Sequence, residues 1–233
     1  MASHPMQRCC ITGTLHTGTP KGAIKYINNI RTYTTSPSST PSSPSSPNSP
    51  TAALIMMTDI FGATFLNTQL LADAFALSGY LVLIPDVFCG GELSFPIPET
   101  FDLQHYIDTA MPRPETVDPI YEGVIRWLRE EMGVKRVGGV GYCFGGETDG
   151  NFPAGKRRET EDILEQLSVP YQMCLYSHVE RGFGVKGDLS HARARFAKEM
   201  AFLQAVCWMD EYVKKDWREE LTVGRTSNVR PPS

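Results

Sequence analysis

The sequence predicts an α/β fold in which a mostly parallel sheet carries helices on both faces. Short apolar runs predict the strands, at residues 52–57, 80–84, 137–140 and 171–176. Helical patterns alternate with them, at residues 67–78, 116–132, 154–167 and 193–214. A strand that is apolar along its whole length is covered on both faces, as strands of a parallel sheet are. In such sheets the active site lies at the carboxyl ends of the strands.

The length of 233 residues suits a single domain. We expect residues 51–215 to form the main α/β domain and residues 1–35 to add edge strands to the same sheet. Residues 36–50 consist of Ser, Pro, Thr and Asn only, so they cannot bury apolar surface and are predicted to form a flexible loop. The mostly polar residues 216–233 are predicted to form a loose tail.

Composition excludes several classes of function. The net charge is −4 with scattered basic residues, which gives no indication of nucleic-acid binding. No apolar run reaches the roughly 18 residues that span a bilayer, and the polar first ten residues contain no signal sequence. We therefore expect a cytoplasmic protein with no membrane partner.

The six cysteines do not form a metal-binding pattern, because no CxxC or His/Cys spacing is present, so no metal site is predicted. Cys89, Cys143, Cys174 and Cys207 lie in or beside apolar segments, where free cysteine behaves as a small hydrophobic residue. Cys9–Cys10 is the only close pair.

Gly141–Tyr142–Cys143–Phe144–Gly145 directly follows the third predicted strand. This order matches a nucleophile elbow with cysteine in place of serine, where the glycines permit a tight strand-to-helix turn. The turn would project the thiol from the sheet edge and direct the Phe144 amide at a developing oxyanion. A thiol in that place could be activated as a thiolate.

Two other interpretations of this segment stay open. The first is a structural glycine-rich turn around a buried cysteine, which would have the same sequence but no catalytic role. A dinucleotide loop is the second, but the glycine spacing differs from that fingerprint, and no acidic residue follows at the end of a second strand.

Four segments in order resemble the dienelactone hydrolase family. They are Thr58–Gly62, Pro85–Asp86, Gly141–Gly146 and the loop Tyr176–Asp188. The resemblance extends from about Ala53 to about Tyr212 and implies an α/β-hydrolase fold. It also implies opening of a lactone or related ester by a Cys-His-Asp triad, with no metal or organic cofactor. The implied partner is a small-molecule ester or lactone substrate.

The resemblance assigns roles to residues of this chain. Cys143 would be the nucleophile, Ile60 and Phe144 would donate the oxyanion-hole amides, and Asp149 would be the acid of the triad. Asp59 stands where the family has an acidic residue near the cysteine, although a turn aspartate would be equally ordinary. Lys186 is a candidate ligand for a substrate carboxylate, with a solvated surface lysine as the alternative.

The family's histidine is replaced. Arg181 stands at its position, before Gly182–Phe183. Arginine stays protonated and cannot accept a proton from a thiol, although it could stabilise a thiolate. His178, three residues upstream, is the nearest imidazole and the candidate substitute base. The alternative is a partly exposed histidine at a strand end.

The spacing after the elbow is also short. Only six positions separate Cys143 from Asp149. A helix and a parallel strand between them would take at least about a dozen residues. We therefore expect that one helix–strand unit is missing between Gly146 and Glu147. Its loss would remove the helix that supports the elbow and a central strand of the sheet.

Three hypotheses follow. The first is a thiol hydrolase that acts on a lactone, ester or similar small carbonyl substrate through Cys143. The second is an inactive family member or shortened product that serves as a binding or interaction protein. The third is a redox-responsive thiol protein that uses Cys143 or Cys9–Cys10.

Overall fold

The computed structural model describes residues 11–37, 50–142, 154–166 and 170–215, within which five strands form one sheet. The strands are β1 (Ala23–Ile27), β2 (Ile30–Thr35), β3 (Ala52–Met57), β4 (Leu81–Pro85) and β5 (Arg136–Gly141). Their order is β1-β2-β4-β3-β5. β3 pairs in parallel with β4 and β5, whereas β2 is antiparallel to β1 and β4. The sheet is mixed but parallel at its centre, and the N-terminal segment supplies β1 and β2.

Helices alternate with the central strands. They are α1 (Leu66–Leu77), α2 (Leu103–Thr109), α3 (Pro114–Glu130), α4 (Ala154–Gln166), α5 (Phe183–Lys186) and α6 (Ala192–Met209), followed by a π-helical turn (Asp210–Lys214). α1, α3, α4 and α6 coincide with the four helical patterns of the sequence. α2 and α5 were not predicted, because seven and four residues are too few to show a helical period.

The central strands are buried on both faces, as their continuous apolar sequence predicts. On one face, Ala53 and Ile55 of β3 pack with Val124 and Leu128 of α3. On the other face, α1 and α6 cover the alternate residues of the same strands, which include Leu54, Met56, Val82 and Ile84. The prediction of an α/β fold with helices on both faces is confirmed.

The C-terminal helical segment crosses β5 at very close range. A Cβ atom on Gly138 would lie 2.9 Å from the Val213 side chain and 3.0 Å from the Met209 sulfur, so no larger residue fits there. Not every apolar residue of α6 faces the core, since Phe196 is 62% and Leu203 50% exposed. Phe202 packs inward instead, with its ring centroid 4.9 Å from that of Phe75.

The predicted fourth parallel strand is not present. Residues 171–176 have no strand structure, and Tyr171 and Leu175 are 44% and 68% exposed. An apolar run is a local signal, whereas a strand also needs a neighbouring strand to satisfy its backbone groups. Residues 171–176 pair with none of the five strands, so the apolar run alone did not produce a strand.

Candidate active site

The carboxyl ends of β3 and β5 meet at one edge of the sheet. Tyr142, the residue after β5, donates its amide to the carbonyl of Met57 at 3.0 Å. The chain leaves β3 through Thr58, Asp59 and Ile60, all of which are at most 2% exposed. The parallel pairing therefore brings the start of the elbow sequence beside the first motif of the family resemblance.

Asp59 forms the turn that carries the chain out of β3. Its Oδ1 accepts the Phe61 amide at 3.1 Å, and its carbonyl accepts the Gly62 amide at 3.1 Å. Its Oδ2 is buried and has no hydrogen-bond partner among the residues that the structure describes. Burial raises the pKa of Asp59 to about 6, and the Lys186 charge and the Phe61 amide oppose that rise. Asp59 is therefore a turn aspartate, as the alternative interpretation states. Its second carboxylate oxygen, Oδ2, is not used by the turn.

Lys186 is buried against this turn, so the alternative of a solvated surface lysine is wrong. Its residue is 2% exposed, and its Nζ has no hydrogen-bond partner in the described part of the chain. Its stem passes Gly13, and a Cβ on Gly182 would lie only 2.4 Å from Nζ. A buried ammonium needs a nearby opposite charge, and Asp59 supplies one.

The Arg181 loop (residues 181–187) holds the residue that replaces the family's histidine. Arg181 is half-buried, and Gly182 has a φ of 78°, in the left-handed region that favours glycine. A Cβ on Gly184 would lie 3.4 Å from the Tyr142 ring, so this loop packs beside the end of β5. The loop and the two strand ends therefore form one cluster.

His178 lies outside this cluster's buried part. It is exposed and has a φ of 60°, which is uncommon for a residue with a side chain. Cys143, Phe144 and Asp149 lie outside the described residues. The structure thus brings together Asp59, Ile60 and Lys186 and places Arg181 beside them. A catalytic role for the exposed His178 stays a prediction.

An N-terminal strap (residues 11–18) fastens the Arg181 loop. Thr14 donates its amide to the Lys186 carbonyl at 2.9 Å. Asn67, fully buried at the start of α1, donates to the carbonyls of Thr14 at 2.8 Å and Val185 at 3.2 Å, and accepts the His16 amide at 2.8 Å. The Asn67 side chain, which belongs to α1, therefore connects the strap to the Arg181 loop.

His16 completes this attachment through its ring. Nε2 lies 2.9 Å from the Gly187 carbonyl, which can only accept, so Nε2 carries the proton. Nδ1 is then the acceptor toward Lys198 Nζ at 3.4 Å. Burial, opposed by the Gly187 hydrogen bond and aided by the Lys198 charge, lowers the pKa of His16. No local pattern could predict this network, because its members lie far apart in the chain.

A cleft of about 390 Å³ opens next to the turn after β3. The surface that it exposes is mostly polar, and its lining residues are Leu15, Phe61, Thr64, Phe65, Leu66, Gly90, Glu92, Leu93, Ser94 and Phe95. Leu93 donates its amide to the Ile60 carbonyl at 3.0 Å, which connects the cleft wall to the candidate oxyanion residue. The segment 90–95, which follows β4, supplies part of this lining.

Three cysteines bear on any thiol chemistry. Cys89, Cys174 and Cys207 are exposed free thiols, so the expectation that they are buried small hydrophobic residues is wrong. Cys89 and Cys174 lie in segments outside the helices and strands, and Cys207 lies on an exposed face of α6. In the described segments, no group of three or more His, Cys, Asp or Glu side chains is placed to hold a metal ion. Those segments also contain no helix long and apolar enough to cross a membrane.

Comparison with known proteins gives a consistent result. Residues 40–149 match the model of the dienelactone hydrolase family. The chain is 36% identical to the hydrolase pyvD of Aspergillus violaceofuscus, over 92% of this chain and 100% of that protein. The chain belongs to the dienelactone hydrolase family.

The hydrolase tropI of Talaromyces stipitatus is 35% identical over 92% of this chain and 100% of its own length. A crystal structure assigned to a dienelactone hydrolase of Klebsiella pneumoniae superposes with a TM-score of 0.64. It covers 84% of this chain and 100% of that chain at 14% identity, which shows a shared fold.

The alignment with pyvD is longer than the chain. It has 255 positions, whereas 92% of 233 residues is about 214 residues. About 41 positions of that alignment therefore face no residue of this family member.

Proposed function

We propose that this family member is a thiol hydrolase that acts on a lactone, ester or similar small carbonyl substrate through Cys143. The thiolate sulfur attacks the carbonyl carbon, and the amides of Ile60 and Phe144 stabilise the oxyanion. The carbon–oxygen bond of the ester breaks, and the leaving oxygen takes up a proton. Water then cleaves the thioester, which releases the acid and restores the thiol.

The hydrogen bond between the Tyr142 amide and the Met57 carbonyl carries this proposal. Cys143 follows Tyr142 by one peptide bond, about 3.8 Å from Cα to Cα. The residues after Met57 are the buried Thr58, Asp59 and Ile60. The pairing of Tyr142 with Met57 supports the proposal that the next residue, Cys143, acts together with Ile60.

Two groups are proposed for the proton transfers. His178, oriented by Asp149, is the imidazole of the Arg181 region and the first candidate. Asp59 is the second, because its pKa of about 6 lies close to neutral pH, where a general base is effective. Arg181 and Lys186 would contribute positive charge near a thiolate or a substrate carboxylate.

An inactive family member is the second candidate function. The observation that favours it is the set of about 41 positions of pyvD that have no counterpart here. We propose that they lie between Gly146 and Glu147, where the spacing from Cys143 to Asp149 is too short for a helix and a strand. Reading the parent gene for an in-frame segment at this point tests the placement.

The main experiment measures ester turnover and iodoacetamide labelling at neutral pH. The background is a variant in which Cys9, Cys10, Cys89, Cys174 and Cys207 are serine, because any other reactive thiol would also be labelled. In this background Cys143→Ser, His178→Ala and Asp59→Asn are compared with His105→Ala, which changes an exposed histidine of α2.

Turnover that Cys143→Ser abolishes, and His105→Ala retains, supports the hydrolase. Loss in only one of His178→Ala and Asp59→Asn identifies the base. Labelling of Cys143 without turnover supports the redox hypothesis, and absence of both signals supports an inactive scaffold.

A further inference from the structure

The backbone of Ile60 is fixed on both sides by hydrogen bonds. The Asp59 carbonyl accepts the Gly62 amide at 3.1 Å, and in a planar trans peptide the N–H points opposite to the C=O. The Ile60 amide therefore points away from the turn after β3. The Ile60 carbonyl accepts the Leu93 amide at 3.0 Å. The direction of the Ile60 amide thus depends on the loop after β4 as well as on the turn itself.

The side chain of Glu92 lies directly against this turn. A Cβ atom on Gly62 would lie 2.8 Å from the Glu92 Cβ atom and 3.1 Å from its Cγ atom. Gly62 also has a φ of 68°, in the left-handed region that favours glycine. Glu92 immediately precedes Leu93 in the chain. The residue that packs on the turn is therefore joined by one peptide bond to the amide that binds Ile60.

Glu92 is held in place from two other segments of the chain. Its side chain is 9% exposed and binds the guanidinium of Arg31, which also binds Asp86 at 2.9 Å. The Thr64 hydroxyl donates to Glu92 Oε1 at 2.9 Å. Arg31 belongs to β2, and Thr64 lies just after the turn. One carboxylate therefore connects β2, the segment after β3 and the loop after β4.

Stability alone does not account for this carboxylate. Oε2 of Glu92 is buried and has no hydrogen-bond partner in the part of the chain that the structure describes. A buried charge that is only partly satisfied costs free energy, and an apolar side chain of similar size often serves a fold equally well. The carboxylate instead supplies a fixed position, because Oε1 receives both Arg31 and Thr64.

We infer that Glu92, held by Arg31, is a positioning residue that keeps the Ile60 amide directed at the oxyanion. The inference rests on the proposed function, in which Ile60 donates to the oxyanion. Negative charge develops on the carbonyl oxygen only as the transition state forms. A misdirected Ile60 amide should therefore lower kcat and leave KM nearly unchanged.

The kinetic test compares Glu92→Ala and Glu92→Gln with Glu122→Ala, which changes an exposed glutamate of α3. Glu92→Ala leaves Arg31 with Asp86 as its partner, so the protein should still fold. With 4-nitrophenyl acetate, its kcat should fall at least about tenfold, but less than the roughly 10²–10³-fold that follows loss of a whole oxyanion donor. Glu92→Gln keeps the shape and an acceptor for Thr64, so it should recover most of kcat. Glu122→Ala should match wild type.

A second readout needs no turnover. In Glu92→Ala the Leu93 amide should exchange its hydrogen at least about tenfold faster than in wild type, as measured by NMR. The Ile60 amide resonance should shift in the same spectra. The Val134 amide, which donates to the Leu128 carbonyl at 2.9 Å far from this turn, is the internal control and should exchange at the wild-type rate.

Arg31→Lys provides the same two readouts if Glu92→Ala does not fold. A lysine keeps the charge but not the planar fork that serves Glu92 and Asp86 together, so we expect a smaller effect in the same direction. An unchanged kcat, a change in KM alone, or an unchanged Leu93 exchange rate would overturn the inference. If wild type has no turnover, faster Leu93 exchange with a shifted Ile60 resonance would leave the placement of this amide by Glu92 standing while the proposed hydrolase fails.

Discussion

Lys186 and Asp59 carry opposite charges and are both buried at the carboxyl end of β3, where they are 2% and 1% exposed. Burial raises the pKa of Asp59 to about 6, and the charge of Lys186 works against that rise. Each side chain also keeps one polar atom without a hydrogen-bond partner in the described structure. The free protein therefore holds two buried charges whose desolvation is only partly compensated by their mutual attraction.

The first prediction concerns this pair. Lys186→Met should lower the free energy of unfolding at pH 7 by about 3 kcal/mol, because it leaves the Asp59 carboxylate buried without an opposite charge. The double variant with Asp59→Asn should recover part of that loss. Urea denaturation of the two single variants and the double variant measures the coupling. Lys25→Met, on the exposed strand β1, is the control.

The cost of Lys186→Met should also depend on pH. Below about pH 6, Asp59 takes up a proton in the folded protein and no longer needs the ammonium. Without Lys186 the pKa of Asp59 rises further, so the difference in stability from wild type should shrink as pH falls toward about 6. Additive single substitutions, or a cost that does not change with pH, would show that the two charges do not interact.

The second prediction concerns Gly182. Gly182→Ala should destabilise the protein more than Gly133→Ala, although both glycines have positive φ angles, of 78° and 64°. At Gly133 the new Cβ meets open space, so only the backbone cost of about 1–2 kcal/mol applies. At Gly182 the Cβ would also displace Lys186 Nζ. Thermal unfolding of both variants measures the difference, and equal shifts in Tm would refute the contact.

The third prediction concerns His16. Its pKa is lowered in the folded protein, so below its ordinary value of 6.5 the unfolded chain binds the proton more readily. The stability that neutral His16 supports is thus present above about pH 6.5 and is lost as pH falls toward the folded pKa. His16→Gln should remove this loss, as measured by urea denaturation between about pH 5 and pH 8.

Asp59 gives the opposite dependence, since its raised pKa makes the folded protein bind the proton more readily between about pH 4 and pH 6. The comparison of His16→Gln with wild type isolates the histidine, because Asp59 is common to both. His105→Gln, in the exposed part of α2, is the matched control. A His16→Gln curve parallel to that of wild type would contradict the assignment.

The fourth prediction concerns Tyr33 of β2. Its buried hydroxyl donates to Asp73 Oδ1 and accepts the Gly22 amide, both at 2.8 Å. Tyr33→Phe should cost about 1–3 kcal/mol, because it leaves two buried groups unsatisfied. Tyr26→Phe, where the residue is 74% exposed, should be neutral. Chemical denaturation of both variants provides the measurement, and equal small effects would count against the hydrogen bonds.

Local sequence patterns predicted the central fold well. The continuous apolar runs at β3 and β4 predicted that both faces of these strands are buried. Leu54 and Val82 are inaccessible to solvent, as predicted. The same signal failed at residues 171–176, because strand formation also depends on a neighbouring strand. Sequence alone does not identify the buried face of α6, because the helix has more than one apolar stripe, and Phe196 and Leu203 are exposed.

The candidate site was predictable only where motifs lie next to the strand ends. Asp59 and Ile60 follow β3 directly, so their burial at the sheet edge could be expected. The burial of Lys186 could not, because Gly13 and Gly182, which make room for its stem, are separated by almost the whole chain. Asn67 and Glu92 act through the same kind of long-range contact, for which a single sequence has no local signal.

The attachment of the strap to the Arg181 loop has a practical consequence for anyone who handles this protein. Thr14 and His16 hold the loop from the amino-terminal side, so a fusion tag placed just ahead of residue 11 would sit near the Arg181 loop. A version that starts translation after residue 18 would keep β1 to β5 and lose those fastenings. Affinity handles are therefore better attached at the opposite terminus.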